Sequence, residues 1–392
     1  MHPIINITVA GKTVSSGFYS RLVSASVTDK EGITSDTFQM ELNDGPPDFV
    51  DLPTPGDAVS ISMGYAETGV RKLGDFVVDK VSGKCLPYSV SISGRAAALG
   101  RAKTLKENKE RHWDKKSVKD IVTQLAGELG LSAKVDGEIG AYVYPWFAQE
   151  DETNAHVLRR LERRHNGLFT IKGNNLIFAK RGSGLSSSGV GMGSVVVVPS
   201  MIILGSCTYE ANDRTKYKKV VAYHQDKDKV ERVEIEQDAD ADGEAIYRLP
   251  EPFASVEEAD KAAAAKAKDL KRGEGSAKVT VVGDSSIVAG VPLRFSGVRP
   301  QLDGVPYVID TATHTFSKTA GYRTEISAKL YDGSSGGGSG GSGSGKAGQG
   351  GAGTGSAPGS SAAGGKSSPL AGGTSAPSGW GTDVRNGYLD AN

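Results

Sequence analysis

Gly56-Asp57-Ala58-Val59-Ser60-Ile61-Ser62-Met63-Gly64, followed by Asp75-Phe76-Val77-Val78-Asp79-Lys80-Val81, has a distant counterpart. It is Gly290-Val291-Pro292-Leu293-Arg294-Phe295-Ser296-Gly297, followed by Pro306-Tyr307-Val308-Ile309-Asp310-Thr311-Ala312. A third strand-like stretch succeeds each pair, Tyr88 to Ser93 in one case and Tyr322 to Leu330 in the other. The order of parts is the same and the gap from the first Gly to the Asp is similar. Strand-turn-strand patterns are common, so chance competes. The reading adopted is a structural duplication, with one chain carrying two similar β-domains.

Around the first copy, Ile5 to Val9, Phe38 to Leu42, Val59 to Met63 and Val90 to Ile92 alternate apolar and polar residues. That period marks strands with one buried face. Asp44-Gly45-Pro46-Pro47 and Pro55-Gly56-Asp57 punctuate them as turns. Between the copies the pattern changes. Ser117 with Asp120 three residues on resembles a capping box, and Val118, Ile121, Val122, Leu125, Ala126 and Leu129 recur at helical spacing up to Gly130. A second helix fits Thr153 to His165, with Val157, Leu158 and Leu161 inward and Gly167 as its stop. A hairpin follows over Phe169 to Phe178, turning at Asn174-Asn175. A third, alanine-rich helix starts at Ser255 with Glu258 completing a capping box, and ends near Gly273.

These patterns predict an α+β, mostly β protein. Residues 1–100 form a first tube-like β-barrel domain, 101–190 an α+β insert, and 191–332 a second tube-like β-domain with the alanine-rich helix. Residues 333–379 are a flexible Gly/Ser/Ala-rich tether, too poor in apolar surface to offset the entropy of ordering. Residues 380–392 are a C-terminal tip.

The chain has 392 residues, with 46 Lys plus Arg against 46 Asp plus Glu. A formal charge of zero disfavours a protein built to coat nucleic acid or bind membranes through a basic patch. The two cysteines, Cys85 and Cys207, are far apart and form no C-x-x-C pair, and are read as reduced thiols, with a disulfide between them left open. The N-terminus shows no signal-peptide pattern. The apolar run from Val195 to Leu204 is broken by Pro199 and falls short of the roughly 20 residues a membrane span needs.

The ordered series of motifs resembles the late control gene D family of temperate contractile-tailed phages, related to the hub part of type VI secretion VgrG proteins. The resemblance rests on Ser35 to Leu42, Leu73 to Asp79, His112-Trp113 with Ser117 to Val122, Gln149 to Leu158 with Leu161, His314-Thr315-Phe316 and Gly321 to Thr324. It covers most of residues 1–330, and the tether and tip depart from it. It implies a virion component: a baseplate hub, assembled in the host cytoplasm, trimeric, below the tail tube and above a trimeric central spike. The implied partners are its own copies, the spike, the tube or a tube initiator, other baseplate proteins and, as a further candidate, a tape measure protein. It implies no catalytic residue and no cofactor.

Individual motifs are weighed against blander readings. Gly337 to Gly341 fits G-x-S-x-G, yet lies in the tether with no strand or helix around it. Gly365-Lys366-Ser367 lacks the spacing of a phosphate-binding loop. The histidines form no H-x-x-x-H pair, which disfavours zinc. The acidic run Glu234 to Glu244 places Leu249 where a calcium loop starting at Asp238 needs glutamate, so an exposed loop is expected. Arg159, Arg160, Arg163 and Arg164 form either a solvated face favoured by the helix dipole or an intersubunit or channel contact. Trp113, Trp146 and Phe147 suit an interface or a core. Trp380, Val384, Tyr388 and Leu389 are candidate partner-docking residues, set against plain disorder. Three chains carrying two like units each would match a six-fold tube to a three-fold spike. The rivals are a tail-associated cell-wall hydrolase and the same hub part in a tailocin or type VI-like injection system.

Overall fold

A computed structural model describes residues 1–32, 36–97, 107–172, 175–181, 193–226 and 231–332. The hairpin turn at Asn174, most of the Gly/Ser loop after Arg181, and the tether and tip with their motifs lie outside the described residues.

The N-terminal region contains β1 (Pro3–Val9), β2 (Lys12–Thr13), α1 (Ser16–Arg21), β3 (Leu22–Lys30), β4 (Thr37–Leu42), β5 (Ala58–Tyr65), β6 (Gly69–Lys84) and β7 (Ser89–Ala96). The middle contains β8 (Asn108–Ser117), α2 (Val118–Glu128), β9 (Ser132–Val135), α3 (Gly137–Gly140), β10 (Val143–Thr153), α4 (Asn154–His165), β11 (Gly167–Lys172) and β12 (Asn175–Lys180). Then come β13 (Val195–Val197), β14 (Thr208–Ala211), β15 (Tyr217–Asp226), β16 (Glu231–Asp238), β17 (Ala245–Phe253), α5 (Val256–Gly273), β18 (Gly275–Val282), β19 (Pro292–Phe295), β20 (Tyr307–Ser317) and β21 (Gly321–Leu330). The protein is α+β and mostly β, as its alternating pattern predicts.

One 13-stranded sheet runs β14-β18-β21-β20-β3-β4-β7-β6-β5-β1-β2, with β13 and β19 attached beside β20. The strands of both sequence copies therefore share a sheet, joined where β20 pairs antiparallel with β3 from Thr311↔Lys30 to Ser317↔Ser24. Four apolar clusters underlie the fold. One centres on Ile7, Phe38, Ile61 and Phe76, one on Val122, Leu158 and Phe178, one on Val281, Phe295 and Ile326, and one where α5 packs its alanines on β15.

The two copies match in backbone detail. In the first, the Gly56 N–H donates to the Val78 carbonyl and the Val78 N–H to the Asp57 carbonyl. In the second, the Gly290 N–H donates to the Ile309 carbonyl and the Ile309 N–H to the Val291 carbonyl. Gly56 and Gly290 both adopt positive φ, +104° and +83°, which side chains resist. Each following hairpin bulges at its aspartate, between Val78 and Lys80 in β6 and between Ile309 and Thr311 in β20. Each aspartate then pairs across the hairpin, Asp79 with Arg95 at 3.1 Å and Asp310 with Lys329 at 3.0 Å. The neighbouring strands also correspond, β4 beside β7 as β18 beside β21.

The helices follow their caps. Ser117 and Asp120 form the expected capping box, and the Thr153 side chain caps α4. The stop of α4 differs from expectation. Asn166, at φ +46°, ends the helix, whereas Gly167 is required because a Cβ there would sit 2.7 Å from the Phe178 ring. Ser255 caps α5, but the Glu258 carboxylate accepts from the Ala254 N–H, so the reciprocal half of the box is displaced by one residue. The acidic run is only partly a loop, because Glu234 to Asp238 lie on β16, where half-buried Val233 and Ile235 alternate with the acids.

The copies have drifted in a compensated way. A Cβ at Gly94 would meet the Val77 carbonyl oxygen at 2.1 Å and the Phe38 ring at 2.6 Å. The registers place Ala328 opposite Ile309 as Gly94 is opposite Val78, with Ala277 standing where the first copy has Phe38. Gly94→Ala should therefore destabilise the protein by about 1–3 kcal/mol through overpacking, whereas Ala328→Gly should cost only about 0.5–1 kcal/mol. Urea denaturation of the two variants checks the ordering.

Candidate functional site

The arginine run sits on α4, whose Val157, Leu158 and Leu161 are buried in the core of the middle region. Positions 160 and 164 share one helix face and 159 and 163 the next. Arg160 packs its guanidinium 4.4 Å from the centre of the Phe147 ring, pairs with Glu152 at 2.5 Å and donates to the Ala148 carbonyl. Arg164 reaches α5, where it pairs with the buried carboxylate of Glu258. It also lies 5.7 Å from the ring centres of both Phe147 and Phe253. Arg159 and Arg163 are exposed, and neither makes an ion pair among the described residues. The structure thus splits the four arginines into an internal pair and an outward pair.

A cavity of about 270 Å³ lies between α4, β17 and α5, lined by Arg160, Arg164, Arg181, Phe253 and Arg272 among others. Arg181 holds Glu31, the residue after β3, at 3.4 Å and Glu162 of α4 at 2.8 Å. Arg272 of α5 pairs with Asp269 at 2.9 Å and lies 3.9 Å from Asp332, which accepts from Asn166 at 3.0 Å. Burial pushes the Glu31 and Glu162 carboxyls up, and the Arg181 charge opposes it in both. A guanidinium shared by two acids offsets part of the cost of burying either carboxylate alone.

Two further polar centres are enclosed. Burial alone would raise Glu128, but hydrogen bonds from Arg111, Lys109 and Asn154 bring its carboxyl down to about 2. His314 is buried, with Nδ1 facing the Tyr322 and Thr324 hydroxyls and Nε2 2.9 Å from the Ile287 carbonyl oxygen. The carbonyl accepts, so Nε2 carries the proton and Nδ1 is left to accept from a hydroxyl.

The remaining candidates separate. Trp113 and Phe147 are core residues, and Trp146 is 53% exposed. Asp240 of the acidic run pairs with Lys271 at 2.5 Å. Among the described residues no group of three or more His, Cys, Asp or Glu is placed to hold a metal ion, and no helix is long and apolar enough to cross a membrane. Both cysteines are free, Cys85 exposed and Cys207 half-buried. Trp380, Val384, Tyr388 and Leu389 lie outside the described residues. Sequence reasoning missed Glu258 and Phe253 as partners of Arg164, because they come from another part of the chain.

A profile of the family described as phage tail baseplate hub (GPD) matches residues 30–320. The chain belongs to this baseplate hub family. Two hub-family relatives are similar over most of their length. A probable baseplate hub protein of Escherichia phage P2 is 26% identical over 84% of this chain and 94% of its own. The counterpart in Escherichia phage 186 is 24% identical, with the same coverage. The fold is shared with the 43 kDa tail protein of prophage MuSo2 from Shewanella oneidensis, at a TM-score of 0.67 and 15% identity, over 84% of this chain and 99% of that one. The protein is accordingly a component of a phage tail baseplate.

Arg164→Met leaves Glu258 buried without its cation and should cost about 3 kcal/mol. Arg163→Met should change stability by no more than about 0.5 kcal/mol. Urea titrations of both variants test the division of the run. A second expectation concerns acid. His165 donates or accepts at the Tyr144 hydroxyl, and burial, aided by Lys261 and Arg164, lowers its pKa to about 3. An unfolded histidine titrates near 6.5. The unfolded chain therefore binds the proton first, and stability falls as pH falls below about 6.5, by up to about 1.4 kcal/mol per pH unit. His314, also lowered by burial, adds in the same direction. His165→Gln should flatten the slope measured between pH 6.5 and 5.

Proposed function

We propose that the chain is the structural hub of a contractile phage tail, a homotrimer that adapts the six-fold tail tube to the three-fold central spike. The observation that carries this reading is the duplication, seen in the paired glycine contacts, the bulges at Asp79 and Asp310 and the ion pairs beyond them. Three chains with two like units each present six like units around an axis. Closed rings of this kind use head-to-tail interfaces. The domain division at residues 100, 190 and 332 belongs to the same reading, with the tube-facing units flanking the insert.

The partners proposed are the chain itself, a trimeric spike below, and the tube or a tube initiator above, with other baseplate proteins around. Arg159 and Arg163, the outward half of the run, are proposed to touch a neighbouring subunit or line the channel. The tip residues Trp380, Val384, Tyr388 and Leu389 are proposed to dock on a partner from the end of the Gly/Ser/Ala-rich segment. The hub works by geometry, and force comes from the contracting sheath. The same part would serve a tailocin, and neighbouring capsid and packaging genes distinguish the two settings. A cell-wall hydrolase is the competing class; robust clearing of cell-wall material by the purified protein would favour it.

The test is the mass of the purified protein by light scattering, alone and with the spike of the same tail. A trimer that takes one spike trimer is expected. Dimers, tetramers or hexamers would overturn the symmetry argument, and a monomer that never joins the spike would remove the hub reading.

A further inference from the structure

The joint between the two units inside one chain specifies the joint between two chains. Within the chain, the distal half of β20 lies against β3, with Phe316 opposite Ala25. Phe316 and Tyr322 of that hairpin pack against the first unit's core, where Tyr322 sits 5.7 Å from Tyr65. The corresponding half of β6 has no such partner. Its pairing with β5 stops at Ala58↔Val77, and residues 80 to 86 pair on that side with nothing among the described residues. The strand corresponding to β3 in the second unit is β14, since β14 pairs with β18 as β3 pairs with β4. The far edge of β14 is likewise unpaired among the described residues, and Thr208 to Ala211 are all exposed. Long open edges are usually covered.

We infer that the Lys80–Lys84 edge of β6 in one copy adds antiparallel to the β14 edge of the next copy, continuing the sheet from chain to chain. The inference rests on the trimer reading and names its interface. Transferring the β20–β3 register onto the corresponding residues gives the pairing directly. Val81 faces Ala211, Ser82 faces Glu210, Gly83 faces Tyr209 and Lys84 faces Thr208, and one residue beyond the end of each strand Cys85 comes opposite Cys207. The two cysteines of this sequence are brought opposite each other by a register in which they played no part.

The chemistry of both faces agrees with that register. Val81, Gly83 and Cys85 meet Ala211, Tyr209 and Cys207 on the face that corresponds to the buried side of β3. Gly83 leaves room for the Tyr209 ring across the ladder. On the opposite face Glu210 stands diagonally between Lys80 and Lys84, within reach of both. Tyr88 occupies in the first hairpin the place that Tyr322 has in the second, and is half-buried against Phe49 at 5.7 Å in the single chain. It would enter the neighbour's second core as Tyr322 enters the first.

The test uses the full chain and its own thiols. Directly opposed residues of an antiparallel ladder have Cα atoms about 4.5–5.5 Å apart, inside the range a disulfide spans. Brief treatment with diamide, which takes up the two electrons and two protons released as the S–S bond forms, should convert the assembled protein to covalent dimers and trimers on a non-reducing gel. Cys85→Ser and Cys207→Ser should each abolish these bands. Glu210→Lys, which sets three lysines together, should weaken the trimer at least tenfold in light scattering. Adding Lys80→Glu and Lys84→Glu should restore it. A protein that is trimeric by light scattering yet gives no such bands, or only a disulfide within one chain, overturns the strand pairing and leaves the hub trimer standing. A protein that stays monomeric alone and with its spike overturns the trimer and the pairing together.

Discussion

The antiparallel ladder between β3 and β20 joins the two β-units into one sheet. Without it the two β-units would be separate sheets with extra unpaired edges. With it, Ala25 and Val27 of β3 are buried beneath a strand that comes from the far end of the folded region. The end of the same ladder carries the charged junction. The Glu31 N–H donates to the Asp310 carbonyl, and its side chain meets Arg181, which also holds Glu162 of α4. The middle region is thus keyed to the sheet here, as it also is where Asn166 donates to Asp332 just after β21. Such buried pairs add little net stability, but a displaced partner leaves an uncompensated charge. The junction therefore fixes relative position more than it stabilises.

Sequence and structure agree best where one physical pattern dominates. Strands with one wet face declare themselves by alternation, and capped amphipathic helices by their first turns. The duplication was legible because its glycine turn and bulged aspartate are backbone requirements that survive side-chain change. The ladder of β8 with β10 was not legible. Asn108 to Ser117 is mostly charged, and it is a strand because Trp113 alone enters the core while Arg111 anchors Glu128. The arginine run shows a different limit. Helical spacing tells which residues share a face, but not that the Arg160/Arg164 face is covered by Phe147, Phe253 and Glu258. Those residues lie on β10, just before α5 and on α5.

The fold suits a part that has to hold its shape. The units are tied by main-chain ladders, whose geometry depends little on side chains. Differences between the copies include compensated exchanges such as Phe38 with Gly94 against Ala277 with Ala328. The two units can thus stay alike in backbone while presenting different surfaces.

The β3–β20 ladder also orders events during synthesis. Thr311 pairs with Lys30 across some 280 positions of chain. At roughly 5–20 residues per second, β3 leaves the ribosome many seconds before its partner exists. During that interval its free edge, flanked by Ala25 and Val27, is a template for any other strand, including the β3 of a chain on the next ribosome. The first unit therefore has a kinetic vulnerability that the finished protein does not reveal, and slow translation between the copies would lengthen it.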